Sequence, residues 1–299
     1  MLQTLKVWLL RRYYRFTSQR AWRGQFTDAP YSTLQLPVSG AAIGARVYSS
    51  QQGAELPLVV YFHGGGWVIG DLDTHHAFCQ QLRRHSGCSV VAIDYRLAPE
   101  HPCPAAIEDC RAATEWLAQH LESPGPNNGT VVVAGDSAGA HLACCTALNP
   151  EPATRSRLAG ALLLYPVADH YNVPYPSYIE RATGQALTSK LMRWFWDTWL
   201  AGQSVDTAAA RGAFPLRSTE LAQLPATLLI TAEYDPLRDE GQRLDEYLRG
   251  AGVAVTSEHY AQAEHGFACS QGPTADFQHA LTLISRWLGS LPPAQGAGR

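Results

Sequence analysis

The stretch "VVVAGDSAGAHLACC", residues 131–145, joins an apolar β-branched run to an alanine-rich segment through Gly135, Ser137 and Gly139. The valines read as a short strand covered on both faces, and the segment after Ser137 reads as a helix. G-x-S-x-G at such a junction is a sharp strand-to-helix turn. The requirement is steric: positions two before and two after the serine must be tiny for the chain to turn so tightly. Ser137 then stands clear of the sheet with a helix N-terminus beneath its hydroxyl. That marks it as a candidate nucleophile and the Ala138 N–H as a candidate donor to an oxyanion.

Outward from this turn, the same grammar repeats. Residues 57–63, 88–95, 159–166 and 226–233 are short apolar runs, as strands of a parallel sheet buried on both faces should be. Helical patterns alternate with them. Ile107, Cys110, Thr114, Leu117 and Leu121 form one stripe, and Leu237, Leu244 and Leu248 another. "STLQLPV" and "IGARVYS", before the first core strand, alternate at period two and read as an antiparallel pair. The predicted architecture is a mostly parallel, doubly wound α/β sheet in a single domain spanning residues 1–299.

A second informative stretch, "YFHGGGWVIGDLDTHH", residues 61–76, puts three glycines directly after a strand. Bare backbone of this kind serves either a phosphate or a developing negative charge. No G-x-x-x-x-G-K-[ST] is present, and no G-x-G-x-x-G opens a helix here, so the phosphate reading fails. The N–H groups of Gly64 and Gly65 are therefore expected to join Ala138 around an oxyanion. Gly66 is read as a turn residue, and His63 as a brace for the loop.

A serine nucleophile needs a base, and the base an orienting carboxylate. Where the serine sits on a strand–turn–helix elbow of this kind, the chain order is Ser, acid, His, whereas other serine sites use other orders. Of the histidines after Ser137, only His265, in "AEHGFAC", falls in a loop between a strand and the final helix. In "LLITAEYDPLRDEG", Asp235 sits just past a strand and before Pro236. Asp239 belongs on the first turn of the next helix, where a carboxylate suits the dipole. Asp235 is the preferred acid.

Composition sets the remaining bounds. A formal charge of -3 over 299 residues gives no polyanion-binding signature, so no nucleic-acid partner is expected. The seven cysteines show no zinc spacing and read as buried, reduced thiols of a cytoplasmic protein. Val7–Leu10 is too short an apolar run for a signal peptide or a membrane span, so no membrane partner is expected. Leu2, Leu5, Trp8, Leu9, Tyr13 and Phe16 recur at helical spacing and suggest a packed lid or arm. Residues 169–215 break the alternation of strands and helices. They carry a helix capped by Thr188 or Ser189 and are expected, with residues 1–30, to form a helical cap. Trp67, Trp194 and Trp199 are the candidate walls of an apolar substrate pocket. Low-complexity sequence is confined to the tail from Pro292.

These pieces resemble the hormone-sensitive-lipase-like branch of the α/β-hydrolases, which includes many bacterial carboxylesterases. "HGGGW" with "GDLDTHH", "DYRLAPEHPCPAAIED", "GDSAG", "EYDPLRDEG" and "HGF" occur in family order across residues 63–267. The resemblance implies an α/β-hydrolase fold: an eight-stranded mixed sheet with one antiparallel strand and a helical cap. It also implies an esterase with no metal and no cofactor, using Ser137, His265 and Asp235, with Gly64, Gly65 and Ala138 as oxyanion donors. Family members often dimerise through the edge strand, here residues 253–260. Two departures stand out: Ala140 and His141 replace the usual glycine and asparagine after the elbow. The short N-terminal arm implies a more open pocket.

The expected activity is hydrolysis of short- to medium-chain carboxylic esters through an acyl-enzyme. An amidase or deacetylase using the same triad is the alternative within enzymes. A ligand receptor on a dead hydrolase scaffold is the alternative outside them, and the presence of all three triad residues argues against it.

Overall fold

The computed structural model describes residues 2–24, 30–38, 41–148 and 150–293. Parts of the expected cap (residues 25–29) and of the C-terminal tail (294–299) lie outside them.

The strands are β1 (Ser32–Val38), β2 (Ala41–Tyr48), β3 (Leu58–Phe62), β4 (Val90–Ile93), β5 (Val131–Asp136), β6 (Leu158–Leu164), β7 (Ala226–Tyr234) and β8 (Val255–Glu264). They form one sheet in the order β1-β2-β4-β3-β5-β6-β7-β8. β2 runs antiparallel to both neighbours, and β3 to β8 pair in parallel throughout. This is the mixed eight-stranded sheet with a single antiparallel strand.

The helices in chain order are α1 (Leu2–Ala21), α2 (His76–Ser86), α3 (Ala105–Gln119), α4 (Ala138–Leu148), α5 (Pro152–Arg155), α6 (Ser177–Glu180), α7 (Ser189–Leu200), α8 (Val205–Ala210), α9 (Arg238–Gly250) and α10 (Ala275–Ser290). Period two sorts the core strands between two cores. Leu58, Val60 and Phe62 of β3 and Val131 and Val133 of β5 pack with α3, α4 and α9. Val59, Tyr61, Val132 and Ala134 pack with α2 and α10 on the other face. Ile107, Cys110, Thr114 and Leu117 of the predicted stripe lie on the buried face of α3, and Leu121 is buried just past the end of the helix. Thr188 is the cap of α7, its hydroxyl accepting the Leu191 N–H at 3.1 Å, and Ser189 is the first helical residue.

Parallel pairing has one consequence for function: the loops leaving β3, β5, β7 and β8 all emerge at the same edge of the sheet. They are the glycine loop, the Ser137 turn, the Asp235 loop and the His265 loop. The segment between β6 and β7 carries α6, α7 and α8.

Candidate active site

Ser137 is held at φ 54°, a left-handed conformation that non-glycine residues rarely adopt. Two hydrogen bonds pin it. Its N–H donates to the Leu164 carbonyl at 2.8 Å, and its carbonyl accepts the His141 N–H at 3.0 Å. The flanking glycines are required by close approach. A β-carbon on Gly135 would overlap the Gly139 backbone, and one on Gly139 would overlap the carbonyl of Phe62. The elbow is thus packed against its own helix and against β3.

His265 Nε2 lies 2.9 Å from Ser137 Oγ, and His265 Nδ1 lies 2.7 Å from Asp235 Oδ2. Asp235 is buried, and its second oxygen accepts the Leu237 N–H at 2.8 Å. One Asp235 oxygen is thereby fixed by backbone and the other is left for the imidazole. Asp239, the rejected alternative, instead accepts the Ser177 N–H and pairs with Arg238.

The glycine loop differs from the expectation at one position. The Gly64 N–H donates to Asp136 Oδ1 at 2.8 Å and is not free for a substrate oxygen. Gly64 is glycine because a β-carbon there would overlap the Asp136 carboxylate. Gly65 and Gly66 line the cavity beside Ser137, and among the described residues no protein acceptor takes either N–H. Ala138 is the first residue of α4, where N–H groups have no partner within the helix. Position alone could not reveal that the first glycine of the run is spent on an internal contact.

Asp136 organises this loop. Burial opposes its charge, but His75, the Tyr61 hydroxyl at 2.5 Å and the Gly64 N–H outweigh that and hold its pKa below the ordinary carboxylate value. His63 stacks on Tyr95 with centroids 4.3 Å apart, and its Nδ1 lies 2.9 Å from the Gly64 carbonyl oxygen. Burial and the neighbouring His75 lower its pKa to about 4. It braces the loop as a neutral ring.

The cavity over Ser137 has a volume of about 220 Å³. Leu10, Tyr13 and Tyr14 of α1 form one wall, and Leu187, Leu191, Met192 and Phe195 another. None of the three tryptophans expected to line it does so. Trp67 and Trp199 are fully buried and stack on each other at 4.4 Å. Trp194 faces a separate groove on the outside of α7. The helix buries an aromatic cluster on one side and presents its Leu191–Phe195 edge to the cavity. The sequence shows several apolar directions on α7 but not which one meets the nucleophile.

His141 occupies the centre of that cluster, fully buried. Its Nδ1 accepts the Trp67 indole N–H at 3.2 Å, which leaves Nε2 to donate to the Ala213 carbonyl at 2.8 Å. Burial lowers its pKa to about 4. It therefore links the glycine loop, the nucleophile helix and the segment after β6. The methyl of Ala140 is buried in the core beside it.

Among the described residues, the one group near enough to share a metal ion is His75, Asp136 and Cys269. Asp136 there accepts the Tyr61 hydroxyl and the Gly64 N–H on one oxygen and lies beside the His75 ring, which accounts for the cluster as a brace for the glycine loop.

A serine hydroxyl on a strained elbow, an imidazole hydrogen-bonded to it and a buried carboxylate behind the ring, all at the C-terminal edge of a mostly parallel sheet, have the geometry of a serine hydrolase site. The family described as alpha/beta hydrolase fold matches residues 59–269, and the chain belongs to it, in the hormone-sensitive-lipase-like branch of carboxylesterases. Particular relatives sharpen this. Esterase LipI of Mycobacterium tuberculosis is 41% identical over 239 residues, covering 78% of this chain and 74% of its own. An ethyl acetate hydrolase of Pseudomonas putida is 34% identical over 254 residues, covering 82% and 74%. Among solved structures, the thermostable carboxylesterase EstE1 from a metagenomic library superposes with a TM-score of 0.89 at 35% identity, covering 96% of this chain and 98% of its own. The esterase of the archaeon Pyrobaculum calidifontis gives 0.87 at 35% identity, covering 95% and 93%.

Proposed function

We propose that the protein is a carboxylesterase acting on short- to medium-chain esters, with Ser137 as nucleophile, His265 as base and Asp235 as orienting acid. The observation that carries this is the unbroken hydrogen-bonded chain from Asp235 through His265 to Ser137. His265 takes the hydroxyl proton as Ser137 attacks the ester carbonyl, then returns it to the leaving alcohol. Water repeats the cycle on the acyl-enzyme. Asp235 holds the imidazole tautomer and offsets the imidazolium charge without taking the proton. The N–H groups of Gly65, Gly66 and Ala138 receive the oxyanion, because Gly64 is committed to Asp136. The cavity's volume and its apolar walls support a short acyl group.

The seven cysteines are all free and buried, which supports residence in a reducing cytoplasm. β8 is the last strand of the sheet, so its outer N–H and C=O groups are open to pairing with a second copy.

The test is a fluorophosphonate probe with p-nitrophenyl butyrate as substrate. The Ser137→Ala variant is expected to lose labelling and about 10³-fold or more of kcat/KM. A variant that keeps most of its activity overturns the assignment. Faster turnover of the matching anilide than of the ester would replace esterase with amidase.

A further inference from the structure

The helix α1 is apolar on two opposite faces. At 3.6 residues per turn, Val7, Leu10, Tyr14 and Ser18 share one side. Val7 and Ser18 are buried there, and Leu10 and Tyr14 close the wall of the cavity. Leu5, Leu9, Tyr13 and Phe16 fall on the other side and are 54%, 54%, 66% and 59% exposed, with Trp8 at 50% on its flank. Only three other large apolar side chains are exposed among the described residues, and they are scattered (Tyr31, Ile179 and Tyr247). One apolar face suffices to seat a surface helix, so the fold does not account for the second.

The charge on this helix has one sign. Its twenty residues include Lys6, Arg11, Arg12, Arg15 and Arg20 and no acidic residue. Arg11 and Arg15 fasten the helix to the body: Arg11 bonds the carbonyls of Val68 and Ala98 and the carboxylate of Glu100, and Arg15 bonds Asp71. Arg12 and Arg20 are exposed: Arg12 borders the outer stripe and lies over the Trp8 ring at 5.0 Å, and Arg20 follows the stripe at the C-terminal end of the helix.

We propose that the outer face of α1 seats the protein on an anionic lipid surface. An apolar stripe bordered by cations is the pattern of a helix that lies in the interface, its side chains among the acyl chains and its arginines at the phosphates. A second copy is the weaker occupant, because the helix carries five cations and no acidic residue, so two facing copies would bring like charges together with no anion between them. Lying on a membrane is distinct from crossing one, and among the described residues no helix is long and apolar enough to cross. Tyr13 belongs to both surfaces, since it lines the cavity and is exposed on the stripe. The docked face therefore borders the cavity mouth, and an ester dissolved in the lipid reaches the cavity along α1.

The test is co-sedimentation with vesicles of phosphatidylcholine containing phosphatidylglycerol, against phosphatidylcholine alone, at low and high salt. The wild type is expected to bind the mixed vesicles, and to bind about tenfold or more weakly at high salt or on the neutral lipid. Two variants, Leu5→Ser with Leu9→Ser and Phe16→Ser, and Arg12→Glu with Arg20→Glu, are each expected to lose about tenfold or more in partitioning. Neither touches a cavity residue, so both should hydrolyse soluble p-nitrophenyl acetate at the wild-type rate, which also reports their folding. Three results would overturn the proposal: no binding by the wild type, full binding by either variant, or a dimer in light scattering that the serine variant dissolves.

Discussion

At the scale of single residues, the link between Trp67 and His141 is the feature with most to test. Trp67 follows the glycine run at φ 61°, so the loop is held in a strained conformation by contacts beyond its own backbone. His141 supplies one of them and ties it to the helix that begins next to Ser137. Trp67→Phe leaves a buried ring nitrogen without its donor, which costs about 1–3 kcal/mol. His141→Leu removes the acceptor and the grip on Ala213 together. Each change is expected to lower kcat about tenfold, with KM for a small ester moved about twofold or less, because the oxyanion donors shift while the cavity stays. The double variant should be no worse than the worse single one, and additive losses would show that the two side chains act separately. The position of His141 in the chain was plain as a departure after "GDSAG". Its partners were not, since Trp67 and Ala213 are 74 and 72 residues away.

At the scale of elements, legibility followed periodicity. The core strands, the α3 stripe and the Thr188 cap can be read locally, because alternation, helical spacing and a capping hydroxyl act within a few residues. The aromatic face of α7 could not be assigned in the same way. Trp194, Phe195, Trp196 and Trp199 point around most of the helix, and only packing decides that Phe195 meets the cavity while Trp199 meets Trp67. Phe195 also lies over Gly66, where a β-carbon would overlap its ring. Phe195→Ala should lengthen the cavity and shift preference toward longer acyl chains. Each further buried CH2 is worth about 0.8 kcal/mol, or about fourfold in relative kcat/KM across a p-nitrophenyl ester series. An unchanged profile would move the acyl site away from α7.

At the scale of the whole molecule, buried titratable groups set how stability follows pH. His63 and His141 are both held neutral in the fold, their pKa values lowered to about 4, whereas the unfolded chain protonates them near the ordinary histidine value. Falling pH through that window therefore favours the unfolded state, by up to about 3 kcal/mol for each histidine. Glu240 works in the other direction. It is fully buried, its Oε2 has no partner among the described residues, and burial raises its pKa well above that of a free carboxyl. Its contribution is present at low pH and is lost as pH rises, because the unfolded chain then ionises it. With two histidines against one glutamate, the free energy of unfolding should peak near about pH 6–7. Urea midpoints across pH 5 to 8.5 check this. Glu240→Gln should make the alkaline limb shallower up to about pH 8, above which the seven buried thiols, also raised by burial, add their own loss. His141→Leu should make the acid limb shallower, with His63 supplying the rest. A midpoint that keeps rising from pH 7 to 8.5 would contradict the Glu240 assignment. Local sequence by itself determined the strand–turn–helix at Ser137, the alternation that builds the sheet, and the loops that carry Asp235 and His265, because period, capping and glycine sterics act over a few residues. Only the tertiary structure decided that Gly64 serves Asp136 while Gly65 and Gly66 face the cavity. It likewise decided that Trp67 braces and does not line the pocket, and that α1 keeps a second apolar face in the open. Those outcomes depend on side chains from distant segments competing for the same buried donors and the same space.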